Sequence, residues 1–534
     1  MPIKTISYNN TGYFSKLICD YLSEKKDLRI FYNHFPTLEN LGKQIKLKEK
    51  SFNSSKRKVL VERLKFQYRD ISISKSTQKS INSLLKDRTF TITTGHQLNL
   101  FTGPLYFLYK IFSVINLSEK LNKVYPSHHF VPIFWMASED HDFGEINYFN
   151  LLGNKVQWDR ESVGAVGELS TFGLEVLLNE FKTILGDNEN AHKLTSLFSK
   201  AYLKHSNLTD ATRYLANELF SDYGLVIIDG YDTELKKQFI PYAEKELTEN
   251  LAFNIVNETT KRLENIGYGK QVHPREINLF YLKKGLRERI IEKDGMFYIN
   301  NTEISFNNNE FLKELQNAPE RFSPNVLLRP LYQEVVLPNL CYVGGGGELA
   351  YWFQLKDYFK SVEVPFPVLL LRNSVLLVSD KLSKKLKKLN EDIESLFLSQ
   401  HILEAKHTRQ LSDIKIDFTP QMEHLKKQFE DLYLLAKKTD ASFLGAVGAQ
   451  EKKQLNGLDK LEKRLLKAQK RKLLDELTRL VKIQDELFPN QSLQERILNF
   501  SEFYLIYGDK LLPQIKESLD PLCNEFTVLY LNEK

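Results

Sequence analysis

Apolar residues fall into two patterns along this chain. In the first, short apolar runs recur at Thr89–Thr93, Phe130–Met136, Leu225–Asp229, Val326–Leu328 and Phe366–Leu371. β-branched and aromatic residues fill them, and helical patterns such as Leu105–Asn122 lie between several of them. Strands alternating with helices predict a parallel sheet covered on both faces. The runs are unevenly spaced, which predicts insertions at about 150–220 and 283–320. Asn150–Asp159 reads as a short β element and Leu177–Tyr202 as helices. Arg289–Ile299 reads as a hairpin around Asp294-Gly295, because such a pair supplies the two positive φ angles that a two-residue turn needs. Residues 1–85 read as mostly helical, with Lys-rich polar faces.

After Arg372 the period changes. Leu386, Leu389, Ile393 and Leu396 follow a 3-4-3 spacing. Met422, Leu425, Phe429, Leu432 and Ala436 do the same, as do Leu458, Leu461, Leu465 and Ala468. Apolar seams flanked by Lys and Glu predict coiled-coil helices. Pro420 and the Gly445–Gly448 region are expected to interrupt them, giving an antiparallel helical arm. Such an arm suits self-association, most simply as a symmetric homodimer. Pro489-Asn490 then ends the last helix, and the final segment is expected to return to the core.

The candidate chemistry sits at the ends of the predicted strands. The first strand runs into Thr94-Gly95-His96-Gln97, followed by Gly103-Pro104 and a helix. A glycine turn before a helix lets free N–H groups approach an anion. Lys110, about one turn into that helix, is placed to assist. The second strand ends in Trp135-Met136-Ala137-Ser138-Glu139-Asp140-His141-Asp142. A carboxylate beside an imidazole can make a general base, suited to taking a proton from an amine. Metal ligation by His141 and these carboxylates is the weaker alternative, because adjacent residues rarely ligate one ion together, and no metal is expected. A third cluster is Tyr342-Val343-Gly344-Gly345-Gly346-Gly347-Glu348, where a glycine run again precedes a helix. Ligands of open parallel sheets sit outside the carboxyl ends of the strands, so these signatures predict one shared cleft. Arg275, Asn278 and Arg329 are smaller candidates, as is Trp135 for stacking.

Composition narrows the classes. The chain has 534 residues, 42% of them hydrophobic, with no apolar run long enough to cross a membrane. The first residues lack an apolar signal core, so a cytoplasmic location is expected. A net charge of +6 is small for this length, and no compact basic patch with interleaved aromatics argues for nucleic acid. Cys19, Cys341 and Cys523 are far apart, which argues against a disulfide framework or an all-cysteine zinc site.

TTGHQLNLFTGPLYFLYK, VPIFWMASEDHDFGEI and YVGGGGELAYWFQLKDYF, with the late LFPNQSLQER, resemble the bacillithiol-biosynthesis cysteine-adding family, the BshC cysteine ligases. The resemblance spreads over most of the chain. In that family a glutamine often stands where His96 stands here, which argues against an indispensable imidazole there. The resemblance implies a Rossmann-like core with inserted connective domains and a helical coiled-coil domain. It also implies addition of L-cysteine to the amine of glucosaminyl-malate, the last step of bacillithiol synthesis. By analogy with the mycothiol cysteine ligase, it implies ATP and a cysteinyl-adenylate. Thr93-Thr94-Gly95-His96 further resembles the H-x-G-H signature of class I nucleotide-binding ligases, with Thr93 in place of the first histidine. Its KMSKS-like counterpart would be Lys381–Lys385, which reads better as a solvated helix start.

The expected partition is therefore core at 1–149, 221–282 and 321–380, insertions at 150–220 and 283–320, coiled coil at 381–492, and a returning segment at 493–534. Two rival functions stay open. One is a class I-type nucleotidyl-transfer ligase acting on another amine. The other is a non-catalytic coiled-coil dimer that binds a metabolite.

Overall fold

The structure is a computed structural model that describes residues 3–532; residues 1–2 and 533–534 of the expected first and last segments lie outside the described residues. Two units are present. One holds the described residues up to Asn9, Tyr13–Leu377 and the chain from Leu493 onward, and the other holds Asn10–Gly12 and Val378–Ser492.

The first unit is built on five parallel strands: β1 (Thr89–His96), β2 (His129–Met136), β3 (Val226–Asp229), β4 (Asn339–Gly344) and β5 (Val368–Leu371). Their order is β5-β4-β1-β2-β3, and each neighbouring pair is parallel. Every residue of β1 is buried, as a strand covered on both faces requires. Helix α1 (Tyr106–Val124) packs against β1 and β2, and the helix Leu38–Glu49 packs against β4. The chain leaves β1 toward β2 on one side and later places β4 on the other side. The carboxyl ends of β1 and β4 thus flank the topological switch point, where such sheets hold ligands.

One strand differs from the sequence expectation. Val326–Leu328 is not a strand, and the missing core strand is Asn339–Gly344. The Asn325 side chain accepts from the N–H groups of Leu327 and Leu328, which turns that stretch into the helix Leu328–Val336.

The later insertion is a five-stranded antiparallel sheet ordered Ser305–Asn307, Met296–Ile299, Leu286–Lys293, Leu279–Lys283 and Phe322–Pro324. Asp294 and Gly295, at φ 54° and 76°, form its tight turn. Tyr281, Phe297, Phe306 and Phe322 gather around Phe311 of the helix Asn308–Asn317, so one face of this sheet has its own small core. The first insertion carries the strand pair Tyr148–Leu151 and Asn154–Gln157 and the helices Leu174–Leu185 and Glu189–Tyr202.

The C-terminal segment is tied into this unit. Gln494 exchanges two hydrogen bonds with the backbone of Leu377, and Asn499 donates to the carbonyls of Phe101 and Gly103. Strand Glu525–Leu531 pairs antiparallel with Ile3–Ser7.

In the second unit, α2 (Thr419–Ala436) and α3 (Ala441–Lys472) form an antiparallel hairpin. Leu425, Phe429, Tyr433, Ala436 and Val447 make its core. The Gly445–Gly448 region does not interrupt α3, contrary to expectation. Glycine inside a helix costs only about 1 kcal/mol, and the break falls instead where Asp440 caps α3 by accepting from the Phe443 N–H. The seam expected from Leu386 to Leu396 is also broken, at Asn390, whose φ is 52°. Leu432 and Leu461 of the expected seams point to solvent. No helix among the described residues is long and apolar enough to cross a membrane.

Candidate functional site

A cleft of about 600 Å³ opens at the carboxyl ends of the core strands. Of the expected residues, Gly95, His96, Gln97, Lys110, Trp135, Glu139, Asp140, His141, Arg275, Tyr342, Gly345, Gly346 and Glu348 line it. The β1 and β2 signatures meet physically there. Gln97 donates to Asp140 Oδ2 at 3.0 Å and to Glu145 Oε2 at 2.7 Å.

Five expected residues lie elsewhere. The Thr94 hydroxyl donates to the Val343 carbonyl and so staples β1 to β4. Gly103, at φ 62°, shapes the turn before α1, where a Cβ would stand 2.6 Å from Asn99. Buried Asn278 binds Glu246 and the backbone of Arg275. Gly344 fits where a Cβ would crowd Tyr342 and Glu348. Asp142 is exposed and precedes the short helix Phe143–Ile146.

Part of the glycine run is satisfied internally. Glu348 Oε2 takes the N–H of Gly345 at 2.7 Å and the ammonium of Lys110 at 2.7 Å, while Oε1 accepts from the Tyr342 hydroxyl. Burial opposes ionisation of Glu348, but the Lys110 charge and the hydrogen bonds from Lys110, Gly345 and Tyr342 together hold the carboxyl below its usual range. Lys110, buried and also bonded to the Gly95 carbonyl, is a fixed partner of Glu348 rather than a free cation. None of the four consecutive glycines has a positive φ. His96 is buried, and its imidazole is pushed well below its usual pKa by burial and then by Lys110 and Arg372. It is a neutral ring.

The β2 end is organised differently. Asp140 Oδ1 accepts the backbone N–H of His141, and the ring Nδ1 lies 3.6 Å from the same oxygen. The ring Nδ1 lies 2.8 Å from Arg287, which can only donate, so Nδ1 is the acceptor and the N–H sits on Nε2. The Asp140 carboxylate and the His141 imidazole thus stand together as expected, with Arg287 on the same ring nitrogen. Burial works against an ionised Asp140, yet hydrogen bonds from His141 and Gln97 and the charge of Arg329 hold its carboxyl well below the usual range. Glu139 goes the other way. Burial pushes its carboxyl up, and its buried partner Lys236 opposes this only in part. Trp135 packs edge-to-face on Tyr332.

The residues that sequence reasoning did not single out are mostly arginines. Arg287, Arg289, Arg372 and Arg496 line the cleft beside Arg275 and Arg329. With Lys110 they set seven cations against three lining carboxylates, Glu139, Asp140 and Glu348. Arg372 is held by Glu495 and lies over the Tyr106 ring. Arg496 belongs to the late LFPNQSLQER stretch, which was a usable signal; Arg287 and Arg289 read as an ordinary strand face. Cys341 is fully buried on β4, and burial raises its thiol pKa well above the usual range. Among the described residues, no three His, Cys, Asp or Glu side chains converge as a metal site. Lys381–Lys385 lie on the helix Asp380–Lys388 of the second unit and do not line the cleft.

Residues 1–373 match the family model described as the BshC N-terminal Rossmann-like domain of bacillithiol biosynthesis, and residues 375–531 match its C-terminal coiled-coil domain. The chain belongs to the BshC family. The resemblance read from the motifs and the α/β-plus-coiled-coil class are thereby established. A protein of Christiangramia forsetii is 56% identical over 99% of this chain and 99% of its own length. One of Flavobacterium johnsoniae is 56% identical over 99% and 100%. One of Cytophaga hutchinsonii is 38% identical over 97% of each chain. All three carry the name "Putative cysteine ligase BshC". Membership of the BshC family thus covers both units of the chain.

Proposed function

We propose that this protein is a cytoplasmic cysteine ligase that joins the carboxyl group of L-cysteine to the amine of glucosaminyl-malate, completing bacillithiol. The observation that carries the reading is the cleft at the switch point, with its excess of arginines around one acidic cluster. Glucosaminyl-malate brings two carboxylates and a nucleotide brings phosphates, and guanidinium groups suit both. The residues also fit a nucleotide, because Arg372, just after β5, lies beside Gly345 and lines the cleft with Arg496. When bound there, ATP would supply the activation that makes the cysteine carboxyl a good acyl donor.

In this reading the amine nitrogen attacks the activated carboxyl carbon, the carbon–nitrogen bond forms, the activating group leaves, and the nitrogen loses a proton. Glu139 is our acceptor for that proton, since it lines the cleft and burial raises its pKa above the usual carboxylate range. His141, with its N–H on Nε2, donates to the carbonyl oxygen as charge develops. Asp140 stays ionised and, through Gln97, holds the two strand ends together. The second unit carries the exposed residues Leu434, Leu435 and Phe443 on its hairpin, which supports self-association of two copies.

The test is mass-spectrometric detection of bacillithiol from purified protein, L-cysteine and glucosaminyl-malate, with ATP present or left out. Product only with ATP supports the whole reading. Binding without product in either tube would favour a non-catalytic metabolite binder.

A further inference from the structure

The cleft has two cationic poles of different origin. One is core-built: Arg372, bound to Glu495 and beside Gly345, with Arg496 lining the same cleft. The other comes from the later insertion, where Arg287 and Arg289 sit two residues apart on the strand Leu286–Lys293 and therefore share a face. That face is the one turned to the cleft. Phe280 lies opposite Arg289 in the neighbouring strand and lines the cleft, and the Arg287 guanidinium stacks on its ring at 3.9 Å. The alternate residues Tyr281 and Ile290 are buried and lie on the other face, where the sheet packs on its own helix.

The arginines of this wall are not equivalent. Arg287 is committed to His141 Nδ1. Arg289 and Arg275 line the cleft, and neither makes an ion pair with an acidic side chain among the described residues. A nucleotide in an open parallel sheet lies at the switch point. That assigns phosphates to the core-built pole and leaves the insertion-built pole for a different anion.

Resting on the ligase reading above, we propose that Arg289, with Arg275, is a carboxylate-reading pair that determines which amine is accepted. The acceptor is then an amino sugar whose aglycone carries carboxylates, gripped by the insertion wall while its amine faces Glu139 and His141. A site built to hydrogen-bond a charged group rejects an analogue that lacks it, so the pair acts on specificity.

The experiment compares two acceptors with full-length protein: glucosaminyl-malate, and methyl glucosaminide, which has the same amine but no carboxylate. Wild type should prefer the first in kcat/KM by at least about tenfold, the order expected for a charge-assisted hydrogen bond. Arg289→Gln should collapse that preference, chiefly by raising KM for glucosaminyl-malate, with KM for ATP unmoved. Arg275→Gln is the second variant, used if unfolding curves show that the first is misfolded, and should act in the same direction. A preserved preference in the folded variant, or a rise confined to KM for ATP, overturns the inference while leaving the ligase reading intact. Absence of product from wild type with glucosaminyl-malate overturns the ligase reading itself, and the inference with it.

Discussion

The two sides of the cleft handle charge in opposite ways. On the glycine side, at the ends of β1 and β4, Lys110, Glu348, Tyr342 and the Gly345 N–H satisfy one another. On the insertion side, Arg275 and Arg289 face the cleft without an acidic partner among the described residues. The glycine side looks like a ligand loop in sequence, yet its Lys110 ammonium and Gly345 N–H are already taken by Glu348. The insertion side looks like an ordinary hairpin but supplies open guanidinium groups. The difference shows that a glycine run before a helix marks anion binding only when its N–H groups are still free. Here Glu348 already takes the N–H of Gly345.

The contrast can be broken most forcefully at Glu348. Glu348→Ala would leave the buried ammonium of Lys110 uncompensated, and removing one partner of such a pair costs about 3 kcal/mol or more. Urea unfolding should show that loss, and the double variant Lys110→Met/Glu348→Leu should recover much of it. A loss under about 1 kcal/mol would mean that the network does not support the fold, and the distinction between the two sides would fail.

A second handle is pH. His96 is neutral in the folded protein, with a pKa well below its ordinary value of 6.5. Below pH 6.5 the unfolded chain therefore binds more protons than the folded one, and stability must fall as pH drops through that window. The slope from this one group cannot exceed about 1.4 kcal/mol per pH unit. His96→Gln should flatten the acid limb of a plot of unfolding free energy against pH; an unchanged limb would mean that the ring does ionise in place.

The smallest effect separates two glycines. Gly347 has no positive φ, and no atom lies within 4 Å of where a Cβ would stand, so Gly347→Ala should be neutral or stabilise by up to about 1 kcal/mol. Gly103→Ala should instead destabilise, given its φ of 62° and the Asn99 side chain in the way. Thermal melts of the pair would show whether the run at 344–347 needs glycine for its conformation.

Much of this was legible in sequence where burial is uniform. β1 and β2 announce themselves because nearly every position is apolar or β-branched, and the turns after them carry their polar residues in one stretch. Strand β4 was harder, since it opens on Asn339 and closes on glycines, and its length is hidden between a helix and the run. The arginine wall was illegible for a different reason. Arg287 and Arg289 alternate with Glu288 and Ile290, the pattern of any half-solvated strand, and only the tertiary placement of the insertion turns that face toward the cleft. Asp140 and His141 stand together as expected, but no local pattern shows that Arg287, 146 residues further along the chain, reaches the same ring nitrogen.

The turn between β1 and α1 is fastened by Asn499, which reaches the Gly103 carbonyl across 396 residues of chain. Arg496, three residues earlier, lines the cleft. During synthesis the ribosome delivers the five core strands long before this buckle. Until Asn499 emerges, the turn lacks this fastening and the wall lacks Arg496, so the site is completed only by a contact of long sequence separation.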